Sequence, residues 1–537
     1  MTTTVAEEPQ EQAGPRHARR LPAGPDASSV RRRLAAPMPD DGWWGWLGPL
    51  AVTLVGGILR FVNLGHPHAF SFDETYYAKD GLALWRFGFE QQTISNANDL
   101  ILKGDTNVFT GQGSFIVHPP IGKWLIGFSE WVFGVTPFGW RFMTAALGTL
   151  VVLMVARIGR RLTRSTLLGT IAGLLLALDG LSIVLSRTAI LDGIVAFFVL
   201  ASFGALLVDR DWMRSRLATW AEARPDEPLP DGDRGPRMGL RPWRLAMGVL
   251  LGLACATKWN GVFYLAGFGI LTVLWDAGAR RAVGIRRPLL AMLRRDAVPA
   301  FVSTVPVTVA VYVVSWTGWF ATSGGWDRTW AVGRTTSFPF IPAALRSWWH
   351  YHAEMLHFNT GLTTPHNYAA KPIGWLLMIR PTAFWTDNVQ QGQHGCTSTS
   401  CVSEVIALGT PLLWWGATLA LVWTLWRWAA ARDWRAGAVL MGVAAGWLPW
   451  VILYSNRTVF TSYSVVFAPF LALALMLALG AILGPARSSP RRTWGAAAVG
   501  AYLLLVLANT AWIWPLLVGD QLPYAQWLRR LWFRGWI

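Results

Sequence analysis

Long apolar segments recur along this chain, and they limit what it can fold into more than any other feature. Eleven of them are long enough to cross about 30 Å of hydrocarbon as helices. Hydrophobic residues fill 53% of the 537 positions and charged residues only 14%, so a soluble globule would expose too much apolar surface. We therefore predict an all-α polytopic membrane protein. The predicted spans cover residues 45–62, 139–157, 167–186, 189–208, 243–257, 260–276, 298–320, 404–426, 436–454, 463–483 and 495–517.

The positive charge predicts a topology for these spans. The formal net charge of +17 comes largely in short Arg-rich clusters between apolar runs, which is the positive-inside pattern and not the footprint of a nucleic-acid-binding surface. With the amino terminus in the cytosol, the later clusters fall inside only if 243–257 and 260–276 are two separate spans. This predicts about 11 transmembrane helices and a carboxyl terminus outside. The clusters lie at residues 157–164, 210–244, 280–295, 432–435 and 487–492.

The same pattern divides the chain into regions. Residues 1–42 are rich in Pro, Ala and Arg without apolar periodicity, which predicts a disordered cytosolic tail. Residues 43–320 form an N-terminal membrane domain that includes a first outside loop at 63–138. A second outside loop at 321–403 precedes a C-terminal four-helix membrane domain at 404–537. Loops this long are usually functional, and short helices at the membrane surface are expected in both.

Two adjacent carboxylates, Asp73 and Glu74, begin the segment that follows the first span. With Tyr76 and Tyr77 beside them, they form a group that can take a proton from a hydroxyl or hold a cation. The alternative is an ordinary helix start with Asp73 as the N-cap, where acids are favoured by the helix dipole.

Five polar residues interrupt the predicted spans at what would be the outer membrane face. Ionisable side chains at membrane depth are costly and are candidates for function. The alternative is that they snorkel or pair with one another, for example Arg187 with Asp192. The five are Arg141, Arg187, Asp192, Lys258 and Asn260.

Two further motifs lie in the outside loops. After the two prolines 119 and 120, Lys123 suits a phosphate at headgroup level and His118 supplies a further donor, although both could instead anchor the loop to lipid. In the second loop, Cys396 and Cys401 lie in a Gly/Ser/Thr-rich stretch and are expected to form a local disulfide. A zinc site including His394 is the alternative.

These motifs together resemble those of protein O-mannosyltransferases, a family of the GT-C class of membrane glycosyltransferases that use lipid-phosphate sugars. The resemblance extends from about residue 43 to nearly the end of the chain. Eukaryotic members carry a β-trefoil module in the second loop, which is too short here to hold one, so the chain is more similar to bacterial, actinobacterial-type members. The stretch 456–463 matches the family only in part. The matching motifs are Phe72-Asp73-Glu74, His118-Pro119-Pro120, Trp140-Arg141, Leu191-Asp192-Gly193, Lys258-Trp259-Asn260-Gly261 and Pro365-His366-Asn367-Tyr368.

The resemblance implies a reaction and a location. It implies transfer of mannose from a polyprenyl-phosphate-mannose donor to Ser or Thr hydroxyls of secreted proteins, at the outer face of the plasma membrane and with inversion at the anomeric carbon. Asp73 or Glu74 would be the general base; Asp73 is favoured, with Glu74 orienting the acceptor. No metal is required, although a divalent cation held weakly by the two acids stays open. The protein secretion machinery is a further partner that the resemblance suggests.

The same resemblance assigns roles to the remaining polar residues. The donor's lipid phosphate would be bound by Arg141 and Lys123 first, with His118, Lys258 and Arg457 as further candidates. The acceptor or the sugar would be bound by Tyr76, Tyr77, Asp192, Asn260 and His366.

Three alternative functions stay open at this point. A related GT-C transferase would move a lipid-linked sugar onto a glycan or a lipid. A transporter would use the same embedded charges as a substrate path, although no internal repeat is evident. A non-catalytic surface scaffold would have no need of the two acids.

Overall fold

A computed structural model of the protein describes residues 27–224, 232–239 and 241–537. Within that part of the chain, helices dominate and two small antiparallel sheets lie in the loops. The helices are α1 (Ala27–Leu34), α2 (Trp44–Phe61), α3 (Glu74–Phe87), α4 (Ala97–Leu102), α5 (Ile121–Phe133), α6 (Pro137–Thr163), α7 (Thr166–Ala177), α8 (Gly180–Ser186), α9 (Leu191–Glu222), α10 (Pro242–Cys255), α11 (Gly261–Ala282), α12 (Pro288–Met292), α13 (Val298–Ser315), α14 (Thr317–Ala321), α15 (Ala343–Gly361), α16 (Pro411–Ala431), α17 (Trp434–Ile452), α18 (Ala468–Leu483), α19 (Pro490–Val518) and α20 (Tyr524–Arg530). The strands are β1 (Gln91–Thr93), β2 (Phe109–Gly113), β3 (Thr382–Gln390), β4 (Ser400–Ala407) and β5 (Leu522–Pro523).

Each of the eleven predicted apolar runs coincides with a helix or a pair of helices. By length and composition, seven helices of the described residues are able to cross a membrane, or eight if α7 and α8, bent by 65° at their junction, form one span. Helices α10 and α18 are apolar but shorter. The protein is therefore a multi-pass helical membrane protein, while the total of eleven spans and their sidedness stay predictions.

The bend between α7 and α8 has a local cause. Asp179 adopts an extended conformation at the junction and caps α8, because its Oδ2 accepts the Ser182 N–H at 3.0 Å. Its other oxygen accepts the Trp414 Nε1–H at 2.7 Å, which ties the bend to α16. A short polar side chain that caps the next helix ends the previous one, and the hydropathy pattern alone does not reveal this break.

The described part of the amino-terminal region differs from the prediction of a disordered tail. Helix α1 occupies Ala27–Leu34, where Val30 and Leu34 are buried in a small cluster with Leu217 of α9. Arg31 forms an ion pair with Glu222 at 2.5 Å. The low apolar content of the segment concealed a short amphipathic helix that is stabilised by tertiary contact. Residues 1–26 of the predicted tail lie outside the described residues.

The predicted all-α class omits the two sheets. Strands β1 and β2 pair in the first outside loop, and β3, β4 and β5 form a sheet in that order. Strand β4 occupies residues that were predicted to begin the span 404–426, so that helix begins instead at Pro411. In the β3–β4 hairpin, Cys396 of the turn and Cys401 of β4 form the expected disulfide. With both sulfurs in that bond, the zinc alternative is wrong.

The second loop contains a surface helix, as expected. In α15 the buried residues Ser347, Tyr351 and Met355 recur every fourth position and define one inner face. The Trp349 side chain on another face is 75% exposed. Helix α15 packs by its inner face against an aromatic cluster that includes Trp316 and Phe115, so it joins the second loop to the first.

Candidate active site

Glu74 is held in a closed network of hydrogen bonds. Its side chain is fully buried and forms a bidentate ion pair with Arg141, at 2.8 Å from Nε and 2.8 Å from Nη2. The backbone N–H groups of Ser71 and Ala189 each donate to a Glu74 oxygen at 2.8 Å. Four donors thus occupy the two carboxylate oxygens, and Glu74 has no free position for a substrate hydroxyl.

Arg141 is equally enclosed. Its Nη1 donates to the Pro67 carbonyl at 2.9 Å and its Nη2 to the Ala69 carbonyl at 2.8 Å, besides the two bonds to Glu74. The side chain is fully buried. The expectation that Arg141 contacts the donor phosphate is therefore not supported by this geometry, because every guanidinium nitrogen already donates to protein. Arg141 instead holds the loop that carries the two acids.

Asp73 has a different environment one residue earlier. Asp73 is the residue immediately before α3. Among the described residues, its carboxylate accepts one long hydrogen bond, of 3.5 Å, from the Tyr77 hydroxyl. The pKa of Asp73 is raised to about 6, mainly by burial and to a smaller extent by Asp192, with Lys258 and the Tyr77 hydroxyl opposing the rise. A carboxylate with free lone pairs and a pKa near neutrality is suited to accept a proton.

Lys258 and Asp192 form a buried pair near Asp73. The Lys258 Nζ lies 2.9 Å from both Asp192 oxygens and 4.1 Å from the centre of the Tyr463 ring. Burial lowers the pKa of Lys258, but the Asp192 carboxylate more than offsets this, so the net pKa is raised and the amine stays charged. The suggested pairing of Arg187 with Asp192 is wrong. Arg187 donates instead to backbone carbonyls, including that of Val62 at 2.6 Å.

A cavity of about 550 Å³ opens beside this cluster. One end is polar and is formed by His118, Lys258, Asn260 and Arg457. Within the described residues, Asn260 Oδ1 and Arg457 Nε are buried without a hydrogen-bond partner. Most of the remaining wall is apolar and comes from α11, α13, α15 and α17, with Thr308, Tyr312, His352 and Asn359 as further polar side chains. Its apolar side chains include Val262, Phe263, Leu265, Val305, Val309, Val313, Leu356 and Trp450.

His118 is neutral at this polar end. Burial lowers the pKa of His118 well below its usual value, and the charges of Lys258, Lys123 and Arg457 lower it further. Its ring lies 6.3 Å from that of Tyr77, which connects the cavity to the Asp73 side of the cluster. A neutral imidazole contributes one N–H donor and no charge. Since Asp192 offsets the charge of Lys258, the positive charge left at this end is that of Arg457.

Lys123 lies apart from the polar end of the cavity. It is fully buried, and its Nζ forms an ion pair with Glu90 at 2.5 Å. Asp80 lies in the same buried group, where burial raises its pKa to about 7 and Lys123 opposes the rise. The expected contact of Lys123 with a phosphate therefore lacks support, and its position indicates a role in joining α5 to the β1 segment.

The residues predicted to bind the acceptor or the sugar differ in how far they are exposed. Tyr77 is buried beside Asp73, whereas Tyr76 is 62% exposed. His366 is exposed and its ring lies 6.3 Å from that of Phe72, the residue before Asp73. These positions allow Tyr76 and His366 to meet a ligand that approaches from outside the bundle.

Sequence reasoning assigned Tyr76 and Tyr77 but not the Phe384 and Phe460 side chains that pack around Phe72. Phe72 stacks on Phe384 at 4.9 Å and meets Phe460 edge-on at 5.4 Å. The Phe72 N–H donates to the Phe384 carbonyl at 2.9 Å, so strand β3 of the second loop supports the loop that carries Asp73. Tyr463, beneath Lys258, was also missed as a site residue. The partly matched stretch 456–463 carried the signal for Tyr463 and Phe460, whereas no local pattern marked Phe384.

The described residues contain no group of three or more His, Cys, Asp or Glu side chains arranged to hold a metal ion. The two acids that were considered as a weak pair of ligands face different partners. Glu74 is bonded to Arg141 and to two backbone donors, whereas Asp73 contacts the Tyr77 hydroxyl.

Two family models match this chain. "Dolichyl-phosphate-mannose-protein mannosyltransferase" matches residues 50–283, and "C-terminal four TMM region of protein-O-mannosyltransferase" matches residues 344–536. The polyprenol-phosphate-mannose–protein mannosyltransferase of Mycobacterium tuberculosis is 41% identical over 509 residues, 93% of each chain. The corresponding protein of Corynebacterium glutamicum is 35% identical and covers 78% of this chain and 81% of its own.

A solved structure agrees with these matches at the level of the fold. The Saccharomyces cerevisiae protein O-mannosyltransferase Pmt1–Pmt2 complex, bound to the sugar donor, superposes with a TM-score of 0.68 at 14% identity, covering 96% of this chain and 95% of that one. The fold and the matched regions define an enzyme of the membrane-embedded GT-C glycosyltransferase class. Within that class, the chain belongs to the protein O-mannosyltransferase family.

Proposed function

We propose that the protein transfers mannose from a polyprenyl-phosphate-mannose donor to Ser or Thr hydroxyls of secreted proteins, with Asp73 as the general base. The acceptor oxygen attacks the anomeric carbon while the bond to the lipid phosphate breaks on the opposite side of that carbon. The hydroxyl proton passes to Asp73 and the electron pair of the broken bond leaves with the phosphate. One displacement of this kind inverts the anomeric configuration and requires no nucleophilic carboxylate.

The observation that carries this proposal is the difference between the two adjacent acids. Glu74 is saturated by four donors, whereas Asp73 keeps free lone pairs and a pKa of about 6. A base is most effective when its pKa lies near the working pH, because it is then ionised and still basic enough to take a proton. Glu74 takes a positioning role, in that its network with Arg141 fixes the loop that carries Asp73.

The cavity supports a lipid-linked donor. Its apolar walls suit an isoprenoid chain, and its polar end gathers the charges of Lys258 and Arg457. Negative charge that develops on the departing phosphate would be met there chiefly by Arg457 and by the N–H of a neutral His118, while Lys258 shares its charge with Asp192. Asn260 lines the same cavity, and its amide group would bind a hydroxyl of the sugar or the acceptor.

The acceptor would approach from the outer face. Tyr76 and His366 are exposed on the side of Asp73 that carries the two long loops, and Phe72 with Phe384 forms an aromatic wall there. The protein secretion machinery belongs to this proposal as a partner, since an unfolded segment presents its hydroxyls more readily than a folded domain. Site-specific crosslinking from position 76 to a nascent secreted chain would test that partner.

The direct test of the function is a transfer assay with purified protein. Labelled mannose on a short polyprenyl phosphate is supplied with a Ser/Thr-rich peptide, and with the same peptide carrying Ala at every Ser and Thr. We expect mannose to be transferred to the first peptide alone. The anomeric configuration of the product, α or β, should be opposite to that of the donor. Transfer to neither peptide, together with donor turnover onto a glycan or a lipid, would instead identify a related GT-C transferase.

Metal independence is part of the same proposal. Since Glu74 is bonded to Arg141 and Asp192 to Lys258, Asp73 has no second free carboxylate with which to chelate an ion. We expect saturating EDTA to leave the initial rate within about twofold of the untreated rate, because no step of the displacement uses an added Lewis acid. A loss that Mg²⁺ or Mn²⁺ restores would show that a divalent cation takes part.

A further inference from the structure

A second cavity lies at the end of the helical bundle opposite to Asp73. It has a volume of about 390 Å³ and is enclosed by the ends of α6, α16 and α18 and by the starts of α7, α17 and α19. Helix α6 links the two sites. Arg141 lies beside Glu74 near its start, and Thr163 lines the second cavity at its end. The 22 residues between them span roughly 33 Å, about the thickness of the hydrocarbon core.

The side chains that line this second cavity carry more positive than negative charge. Arg427, Arg435 and Arg491 line it together with the single carboxylate of Asp433. Asp433 accepts from Arg427 Nη2 at 3.0 Å and from Arg435 Nη2 at 2.8 Å, so its charge is already shared between two guanidinium groups. Two positive charges are left over, which favours an anion in this space.

Arg491 is the arginine most available to such an anion. Among the described residues it has no ion pair and no hydrogen bond, whereas its neighbour Arg492 donates to the Gly484 carbonyl at 2.8 Å and closes the end of α18. The Arg491 Nε lies 3.6 Å from the position that a Cβ on Gly484 would occupy, so the side chain runs along the rim of the cavity. Arg427 adds a buried Nε without a partner. Because that Nε is enclosed by protein, Arg427 would meet a phosphate oxygen through its terminal nitrogens, and Arg491 through its guanidinium group.

The remaining wall is apolar and belongs to membrane helices. Leu168, Trp423, Leu477 and Ala481 contribute side chains from α7, α16 and α18, and Gly480 leaves space between them. An inorganic anion gains nothing from such a surface. A phospholipid gains from both parts, because its phosphate meets the arginines and its first acyl methylenes cover the apolar side chains.

We propose that this second cavity binds the phosphate of an anionic phospholipid from the leaflet opposite to the catalytic site. Arg491 and Arg427 contact the phosphate oxygens, Arg435 keeps Asp433 neutralised, and the acyl chains leave between Leu168 and Trp423. The proposal is independent of the mannosyltransferase function, since none of these residues touches the catalytic cluster.

Purified full-length protein in detergent tests the lipid site, with phosphatidylglycerol as the probe. Native mass spectrometry and thermal unfolding are compared for wild type, Arg491→Gln and the matched control Arg487→Gln, which removes an exposed charge from the same turn outside the cavity. We expect phosphatidylglycerol to bind wild type and Arg487→Gln equally and to raise their unfolding midpoints. Arg491→Gln should bind roughly tenfold more weakly, as expected for the loss of a charge-assisted hydrogen bond.

Three further measurements test the same lipid site. Ala481→Trp fills the apolar part without changing charge and should weaken the binding of phosphatidylglycerol as well. Phosphatidylcholine should bind more weakly than phosphatidylglycerol, and inorganic phosphate should give no comparable shift. Equal affinity of the Arg491→Gln and Arg487→Gln variants, equal binding of the two lipids, or the full shift with inorganic phosphate alone would each overturn the proposal.

Discussion

At the scale of single residues, the chain places two adjacent carboxylates in opposite environments. Glu74 is bonded to Arg141, 67 positions away, and to the backbone of Ala189, 115 positions away. Asp73 instead faces Tyr77 and the Lys258–Asp192 pair. These long-range partners saturate Glu74 and leave Asp73 with free lone pairs, and from that difference we propose catalysis by Asp73 and positioning by Glu74.

The raised pKa of Asp73 predicts a pH dependence of activity. Since burial raises that pKa to about 6 and the base must be ionised, kcat/KM should fall about tenfold for each pH unit below 6 and level off above it. A pH profile of transfer to a Ser/Thr peptide measures this, with thermal unfolding at each pH to confirm that the protein stays folded. A rate that is constant between pH 5 and pH 7 would argue against Asp73 as the base.

Arg457 predicts a separate effect on the donor. Its Nε is buried at the polar end of the cavity without a partner, so Arg457→Gln should raise KM for the lipid donor about tenfold or more through loss of a charge-assisted contact. Arg334→Gln is the control, because that arginine is exposed in the second loop and does not line the cavity. An unchanged donor KM in Arg457→Gln would remove Arg457 from the phosphate site.

The residue patterns in the sequence identified the important positions more successfully than they identified the contacts that those residues make. Asp73, Lys258 and Asn260 were singled out from the sequence and come together around one cluster and cavity. Lys123 and Arg141 were also singled out, but each is buried against a carboxylate, Glu90 or Glu74. A cation that pairs with a distant acid has the same local sequence as one that awaits a phosphate, so this distinction needed the fold.

At the scale of elements, the apolar periodicity predicted most helices because each is long relative to its loops. The expectation of short surface helices in the long loops agrees with α15, whose inner face is buried. The β3–β4 hairpin escaped prediction, since its alternation is interrupted by a bulge between Ala383 and Trp385 and it runs directly toward a membrane helix. The break at Asp179 was equally hidden, because a single capping residue inside an apolar run decides it.

Helix α13 supplies a prediction at this scale. Val309 lines the apolar wall of the first cavity, so Val309→Trp should narrow the space for an isoprenoid chain. We expect the donor KM to rise more for a long polyprenyl phosphate than for a short one, measured as initial transfer rates with two chain lengths. Val314→Trp is the control on the same helix, being 68% exposed and outside the cavity lining. Equal effects of Val309→Trp on both donors would contradict a chain-binding wall.

At the scale of the whole molecule, the charge clusters and apolar runs predict which loops face outward. Asp73 and both sheets lie at one end of the helices, and the arginine-lined second cavity lies at the other. Composition alone gave the membrane class, because burial of so many apolar residues requires a lipid solvent. Sidedness rests on the positive-inside bias, and a helical bundle by itself does not show which end faces the cytosol.

Labelling of intact cells tests that orientation. Ser337 in the second loop and Ser488 between α18 and α19 are both exposed, so single cysteines there report on the two ends of the bundle. An impermeant maleimide should label Ser337→Cys in intact cells and Ser488→Cys only after permeabilisation. The buried Cys255 and the disulfide contribute little background. The opposite labelling pattern would invert the topology and place Asp73 in the cytosol.

The central claim is that Asp73 reacts while Glu74 supports it, and a comparison of Asp73→Asn with Glu74→Gln tests that claim most directly. For Asp73→Asn we expect a 10²- to 10⁴-fold loss of mannosyl transfer with an unfolding midpoint equal to or above that of wild type, because only a base is lost. Glu74→Gln should lose stability by about 3–5 kcal/mol, since it leaves the buried Arg141 charge without its partner. A stable Glu74→Gln protein without activity, beside an active Asp73→Asn protein, would reverse the assignment.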